Sequence, residues 1–245
     1  MKHARPARGL RTAATTTWLV AATVLSPGAL GAEPIDAARI DALFSAFTDQ
    51  TPGCAASVVR EGRTVYARGF GLADLGHRVP IGPDTVFEIG SVSKQFTALA
   101  VLLLEADGKL KLDDTLQKHL PELAPVVSQP VTLRQLLNHT GGLGGYTEVL
   151  EVAGVHHENV VGPADALRAL AVLPQPATRP GTRFAYSDTG YFLLARVVAR
   201  VSGGSLNALL QARVFGPLGM TSTQVFDDPR RIVPRRASGH APGQG

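Results

Sequence analysis

Ser91-Val-Ser-Lys94 runs through Gln95 directly into Phe96-Thr-Ala-Leu-Ala-Val-Leu-Leu-Leu104, and the fold and chemistry of the chain both turn on this stretch. Residues 96–104 are apolar almost all round apart from Thr97, the pattern of a helix buried on every side. Asp107-Gly108 ends it, because glycine adopts the left-handed conformation of a helix C-terminus at low cost. Ser91 and Lys94 stand three residues apart in the first turn and share one face, so their side chains can touch. Serine attacks a carbonyl only when a nearby base takes its proton. Lysine is that base only when neutral, and burial beside the positive end of a helix dipole would lower its pKa from about 10.4. A serine cap is best followed three residues later by Glu or Gln; a cation there is a locally wrong choice that points to function. The plain alternative is Ser91 as a simple helix cap with Lys94 in solvent, since the S-x-x-K spacing alone is common by chance.

Working outward, residues 54–59 and 64–70 are β-prone runs on either side of Arg60-Glu-Gly-Arg63 and read as one β-hairpin, with Gly62 supplying the turn. After the helix, residues 110–114 and 121–130 read as loops and short turns, 133–138 as a brief helix and 141–145 as a flexible glycine loop. Residues 163–173 are helical in pattern and 174–181 form a proline-rich break. A strong helix follows over about 189–202, with Leu193, Leu194, Val197, Val198 and Val201 on one side and Gly203-Gly204 at its end. Residues 205–214 form a further helix. Strands first and helices after predict an α+β arrangement. Two strands do not make a stable sheet by themselves, so the sheet reads as unfinished, and residues 226–245 read as a polar, loop-like tail.

With 44% hydrophobic and 18% charged residues, the chain has ample material for a core, which excludes global disorder. The 24 Lys and Arg outnumber the 20 Asp and Glu by four, and Lys2, Arg5, Arg8 and Arg11 all precede the first acid, Glu33. From there on the charges balance, so nothing draws the folded part to nucleic acid. The basic start, the apolar run Trp18-Leu-Val-Ala-Ala-Thr-Val-Leu25 and the small residues Gly28-Ala-Leu-Gly-Ala32 predict a secretory signal peptide over 1–32. The apolar run is well short of the roughly 20 residues of a spanning helix. The expected product, residues 33–245, is therefore exported, periplasmic or extracellular, with no membrane attachment once the leader is removed. A single cysteine, Cys54, excludes an internal disulfide framework and a multi-cysteine metal site, and reads as a small hydrophobe buried in its strand. His156-His157-Glu158 reads as a solvated loop, because adjacent side chains diverge. Arg230, Arg231, Arg235 and Arg236 read as solvated surface. No cofactor or metal is implied, and the oligomeric state is not readable.

Tyr186-Ser-Asp188 opens the long helix after the Pro-Gly break. A phenol titrates near about 10, but a phenolate beside a cation can take or relay a serine proton. Asp188 could bond a substrate amide or Lys94. Taken singly, Asp188 is also an ordinary N-cap and Tyr186 an amphipathic core residue.

Four blocks in concert carry a resemblance: Phe87-Glu-Ile-Gly-Ser-Val-Ser-Lys-Gln-Phe-Thr-Ala98, Leu136-Leu-Asn-His-Thr-Gly-Gly-Leu143, Pro180-Gly-Thr-Arg-Phe-Ala-Tyr-Ser-Asp-Thr-Gly-Tyr191 and Pro217-Leu-Gly-Met-Thr221. In order and spacing they resemble the serine β-lactamase and penicillin-binding-protein family across most of residues 35–240. The resemblance is closest to the class C-like branch, with its D-alanyl-D-alanine carboxypeptidases and esterases. It implies a β-lactamase/transpeptidase-like fold, an antiparallel sheet flanked by helices plus an all-helical region. Residues 33–88 fall in the α/β part and 89–225 in the mostly helical part, with the family's C-terminal strands and helix missing. It also implies a serine hydrolase that transfers acyl groups through an ester on Ser91. Lys94 and Tyr186 share the proton work and Asp188 lies at the substrate. The substrate class is a β-lactam, a D-Ala-D-Ala peptide or an ester, a small molecule or a peptidoglycan-derived one. In the family two backbone N–H groups hold the oxyanion. The serine supplies one, and a Lys-Thr-Gly or His-x-Gly strand, not found after Gly239, supplies the other. Asp188 stands where the family usually has Asn, replacing an amide with a group that only accepts when ionised and giving Lys94 a counter-ion. His139 and Gly141 to Gly145 are, in the resemblance, parts of a structural turn. The alternative readings are a β-lactamase-like binding domain without turnover and a fragment of a longer hydrolase.

Overall fold

The serine–lysine turn feeds the central helix of the molecule. In the computed structural model, which describes residues 34–155, 159–172 and 175–240, Gly90–Ser93 form a 3₁₀ turn that continues into α2, Lys94–Ala106. The leader expected at 1–32 and His156-His157-Glu158 lie outside the described residues. Before α2 come α1 (Ala37–Leu43), β1 (Cys54–Arg60), β2 (Arg63–Phe70), β3 (Leu72–Asp74) and β4 (Val79–Pro80). After it come α3 (Leu116–His119), α4 (Leu133–Leu137), α5 (Tyr146–Val152), α6 (Pro163–Leu170), α7 (Asp188–Ser202) and α8 (Leu206–Leu210).

Local chemistry sets these bounds. α2 stops in a complete Schellman motif: Gly108 lies at φ +70°, its N–H bonds the Glu105 carbonyl, and the Lys109 N–H reaches back to Leu104. α4 begins in a capping box between Thr132 and Gln135. α7 begins with Ser187, whose hydroxyl accepts the Gly190 N–H, and ends at Gly203 in left-handed backbone. Ser187 takes the capping position that Asp188 would fill in the plain reading, which leaves the Asp188 carboxylate free for another use.

α2 and α7 pack together at the centre of the core. Ala100, Val101 and Leu104 of α2 meet Leu193, Leu194, Val197 and Val198 of α7, with Leu133 and Leu136 of α4 and Leu210 of α8 around them. Phe96 and Phe215 close one end edge to face, with centroids 5.2 Å apart. The expectation that α2 is buried on every side is corrected: Leu99 and Leu102 are 38% and 45% exposed. An all-apolar pattern fixes helix type, but it does not say how many faces the neighbours cover.

The hairpin forms as read. Arg60 pairs with Arg63, and Glu61 and Gly62 both have positive φ, the two-residue turn whose twist suits paired strands. β1 and β2 are antiparallel with a bulge at Val58/Val59. β3 and β4 make a second, separate antiparallel pair. These short strands and helices α3 and α5 were not read from the sequence; each is too short for a hydrophobic period to show. Cys54 is half-buried rather than buried, because no face of the hairpin is fully covered. The tail from residue 226 is irregular, yet Val86 and Ala237 exchange backbone bonds with residues 235 and 86, and Ser238 bonds Ala73. Three of the four arginines there sit in ion pairs, Arg230 with Asp228, Arg231 with Asp227 and Arg236 with Glu88. Among the described residues, no single helix is long and apolar enough to cross a membrane, and no group of three or more His, Cys, Asp or Glu could hold a metal ion.

Candidate active site

Lys94 is the first residue of α2 and Asp188 the first of α7, so packing these two helices brings their N-termini to one place. Two positive dipole ends meet there. Lys94 alone would be disfavoured in that field and Asp188 favoured; together they form an ion pair, Lys94 Nζ donating to Asp188 Oδ1 at 2.5 Å.

The same ammonium donates to Ser91 Oγ at 3.0 Å. Tyr186 OH donates to Ser91 Oγ at 2.6 Å from the opposite element, 95 residues away in sequence. Nζ also lies 4.7 Å from the Tyr186 ring centroid. All four residues singled out in the sequence, Ser91, Lys94, Tyr186 and Asp188, are thus one connected cluster. Ser91 and Tyr186 open to solvent, while the Lys94 side chain is only 17% exposed and that of Asp188 42%.

The state of Lys94 differs from the expectation of a depressed pKa. Burial does push it down, but the hydrogen bonds and negative charge of Asp188 and Tyr186 outweigh burial and hold the ammonium above its ordinary value.

A glycine-rich loop and the lead-in to α7 hold this geometry. The Gly142 carbonyl accepts from Thr178, Thr140 from Gly181 and His139 from Ala185. The Gly144 N–H donates to Gln175 Oε1, and its carbonyl accepts the Thr189 hydroxyl. Gly142 sits at φ +72°, where an added Cβ would stand 2.1 Å from the Thr178 carbonyl, so only glycine lets the two segments lie side by side. Residues 141–145 are therefore a packed brace rather than a flexible loop.

Two site neighbours were missed in the sequence. His139 stacks on Tyr186 with centroids 4.6 Å apart, and Tyr146 feels the cluster: burial and then the Asp188 charge push its phenol pKa up. The glycine loop between them marked the region, but no spacing rule showed that the loop folds back against residues 184–189.

The β-lactamase family model matches residues 40–245. Curated relatives include a D-aminopeptidase of Brucella anthropi, 34% identical over 177 residues covering 72% of this chain and 33% of that protein. Esterase EstB of Burkholderia gladioli is 38% identical over 215 residues, covering 80% and 54%. Among solved structures, the octameric penicillin-binding protein homologue from Pyrococcus abyssi superposes with a TM-score of 0.65 at 31% identity, covering 76% of this chain and 44% of that one. The chain spans about a third to a half of the length of the curated relatives it matches. With the family model running through both helices that carry the cluster, the chain belongs to the β-lactamase family.

Proposed function

We propose that this chain forms the nucleophile-bearing part of an exported serine hydrolase that transfers acyl groups through an ester on Ser91. The observation that carries the reading is the pair of hydrogen bonds on Ser91 Oγ, from Lys94 at 3.0 Å and Tyr186 at 2.6 Å. With Lys94 held as an ammonium by Asp188, the base is the Tyr186 oxygen: its own hydrogen first leaves to solvent, the nearby Nζ balances the charge, and the oxygen turns from donor to acceptor toward Ser91. Ser91 Oγ bonds to the carbonyl carbon of the donor as its proton passes to the Tyr186 oxygen. The bond to the leaving group then breaks, and the same proton goes to the departing nitrogen or oxygen. Water attacks the ester by the reverse route and restores Ser91. The Ser91 N–H, at the start of the 3₁₀ turn into α2, supplies one donor to the oxyanion.

The donor class is an amide or ester, in keeping with relatives named as a D-aminopeptidase, an esterase and a penicillin-binding protein homologue. The basic, apolar and small-residue sequence of positions 1–32 supports export. A fluorescent penicillin or fluorophosphonate is expected to label the protein covalently, and Ser91→Ala to abolish labelling. Undiminished labelling of Ser91→Ala would exclude Ser91 as the nucleophile.

A further inference from the structure

His139 touches the lead-in to α7 at every residue from 184 to 187. Its ring stacks on Tyr186 at 4.6 Å and 27°, meets Phe184 edge to face at 5.7 Å and lies 5.0 Å from Tyr191. Its carbonyl accepts the Ala185 N–H at 2.8 Å, and its Nδ1 accepts the Ser187 N–H at 3.1 Å. The residue stands at φ +56°, a left-handed conformation uncommon outside glycine, which turns the chain so that ring and carbonyl both face this segment.

We propose that His139 is a positioning residue, whose imidazole, stacked on the phenol and bonded through Nδ1 to the Ser187 N–H, sets the direction from which Tyr186 reaches Ser91. This rests on the reading of Ser91 as nucleophile and deepens it. Accepting from Ser187 requires an unprotonated Nδ1, hence the neutral ring with its hydrogen on Nε2. A proton on Nδ1 would set two donors against each other. It would also add a second cation beside Lys94.

The charged and titratable groups around the ring are Lys94 on α2, Tyr186 in the lead-in, and Asp188 and Tyr191 on α7. Burial, and next the Lys94 ammonium, hold the imidazole pKa below its ordinary value, with Asp188 pulling the other way. The sign follows from linkage. Below about 6.5 an unfolded chain takes up a proton that the native ring refuses, so the native arrangement loses stability as pH falls through that value. At lower pH, where the native ring itself protonates, Tyr186 loses its support and acylation falls.

Two measurements test this. The first is nitrogen-15 NMR of the imidazoles in the full chain, assigned with His139→Asn. It is expected to show Nδ1 of His139 unprotonated at neutral pH and titrating below free imidazole. A hydrogen on Nδ1, or an ordinary imidazole titration, would overturn the proposal. This readout needs no turnover, so it stands even if Ser91 is not the nucleophile.

The second is the pH profile of fluorophosphonate labelling. Asparagine tolerates left-handed backbone and offers an oxygen to the Ser187 N–H. His139→Asn should therefore keep its rate at pH 8 within about tenfold and lose the His139-dependent fall on the acid side. His139→Phe keeps a ring but no acceptor, and should label more slowly than His139→Asn at pH 8 with its fold intact by circular dichroism. Matching acid-side profiles for wild type and His139→Asn, or wild-type labelling by His139→Phe, would contradict the proposal.

Discussion

The helical region and the hairpin meet the same solvent with opposite resources. Helices α2, α4, α7 and α8 share one continuous core in which Val101, Leu104, Leu193, Leu194 and Val197 are wholly buried, whereas β1 and β2 bury no residue fully. The Ser91–Lys94–Tyr186–Asp188 cluster sits on the side that can hold it rigid. Tethering four side chains, from the 3₁₀ turn, α2, the lead-in to α7 and α7 itself, to within hydrogen-bond reach costs conformational entropy, and the well-packed helices offset that cost where a bare two-stranded ribbon could not. The difference teaches that this chain specifies its chemistry through helix packing, with the hairpin a local element whose shape is fixed by its turn.

The sharpest way to break the contrast is at its functional end. Tyr186→Phe removes the phenol oxygen and keeps the ring on His139, so acylation should slow by about 10²- to 10⁴-fold with an unchanged melting curve. Unchanged single-turnover rates would remove Tyr186 from the proton path. Next in size is the core beneath the cluster. Leu194→Ala should cost about 2–5 kcal/mol in denaturant unfolding, and a loss below about 1 kcal/mol would mean that α7 is not packed as described.

A third change acts on the ion pair. Asp188→Asn leaves burial of Lys94 without its main opposing charge. The raised pKa of Lys94 should then fall, and the alkaline limb of the labelling rate should move to lower pH; an unmoved limb would show that Asp188 does not hold the ammonium. The smallest effect belongs to the hairpin: Val59 is 63% exposed, and Val59→Ala should change stability by no more than about 0.5 kcal/mol. A larger loss would show the ribbon to be covered and the contrast overstated.

What the sequence made legible follows from this division. α2 and α7 carry long apolar patterns with glycine stops, and their positions were readable to within a residue or two at their ends. Ser91 and Lys94 lie in one turn, so their contact was readable from spacing alone. Tyr186 and Asp188 are reached across about 95 residues; their chemistry suggested a link to the serine and Lys94, and the resemblance placed them beside it. For the charge state of Lys94 the sequence offered two opposed readings, burial beside a dipole lowering its pKa and Asp188 as a counter-ion keeping it charged, and the choice turns on Ser187 rather than Asp188 capping α7, which side-chain geometry decides. His139 escaped for a like reason: its left-handed backbone and its stack on Tyr186 exist only once the 138–146 and 175–189 segments lie side by side.

The central claim, that Ser91 is the hydroxyl activated by Lys94 and Tyr186, is tested most directly by locating the covalent adduct. The chain is reacted with a fluorophosphonate, digested, and the modified peptide sequenced by tandem mass spectrometry. The account predicts one adduct, on Ser91, formed far more slowly in Tyr186→Phe. An adduct on Ser93 or Ser187, or modification that proceeds at the same rate without the Tyr186 hydroxyl, would contradict it.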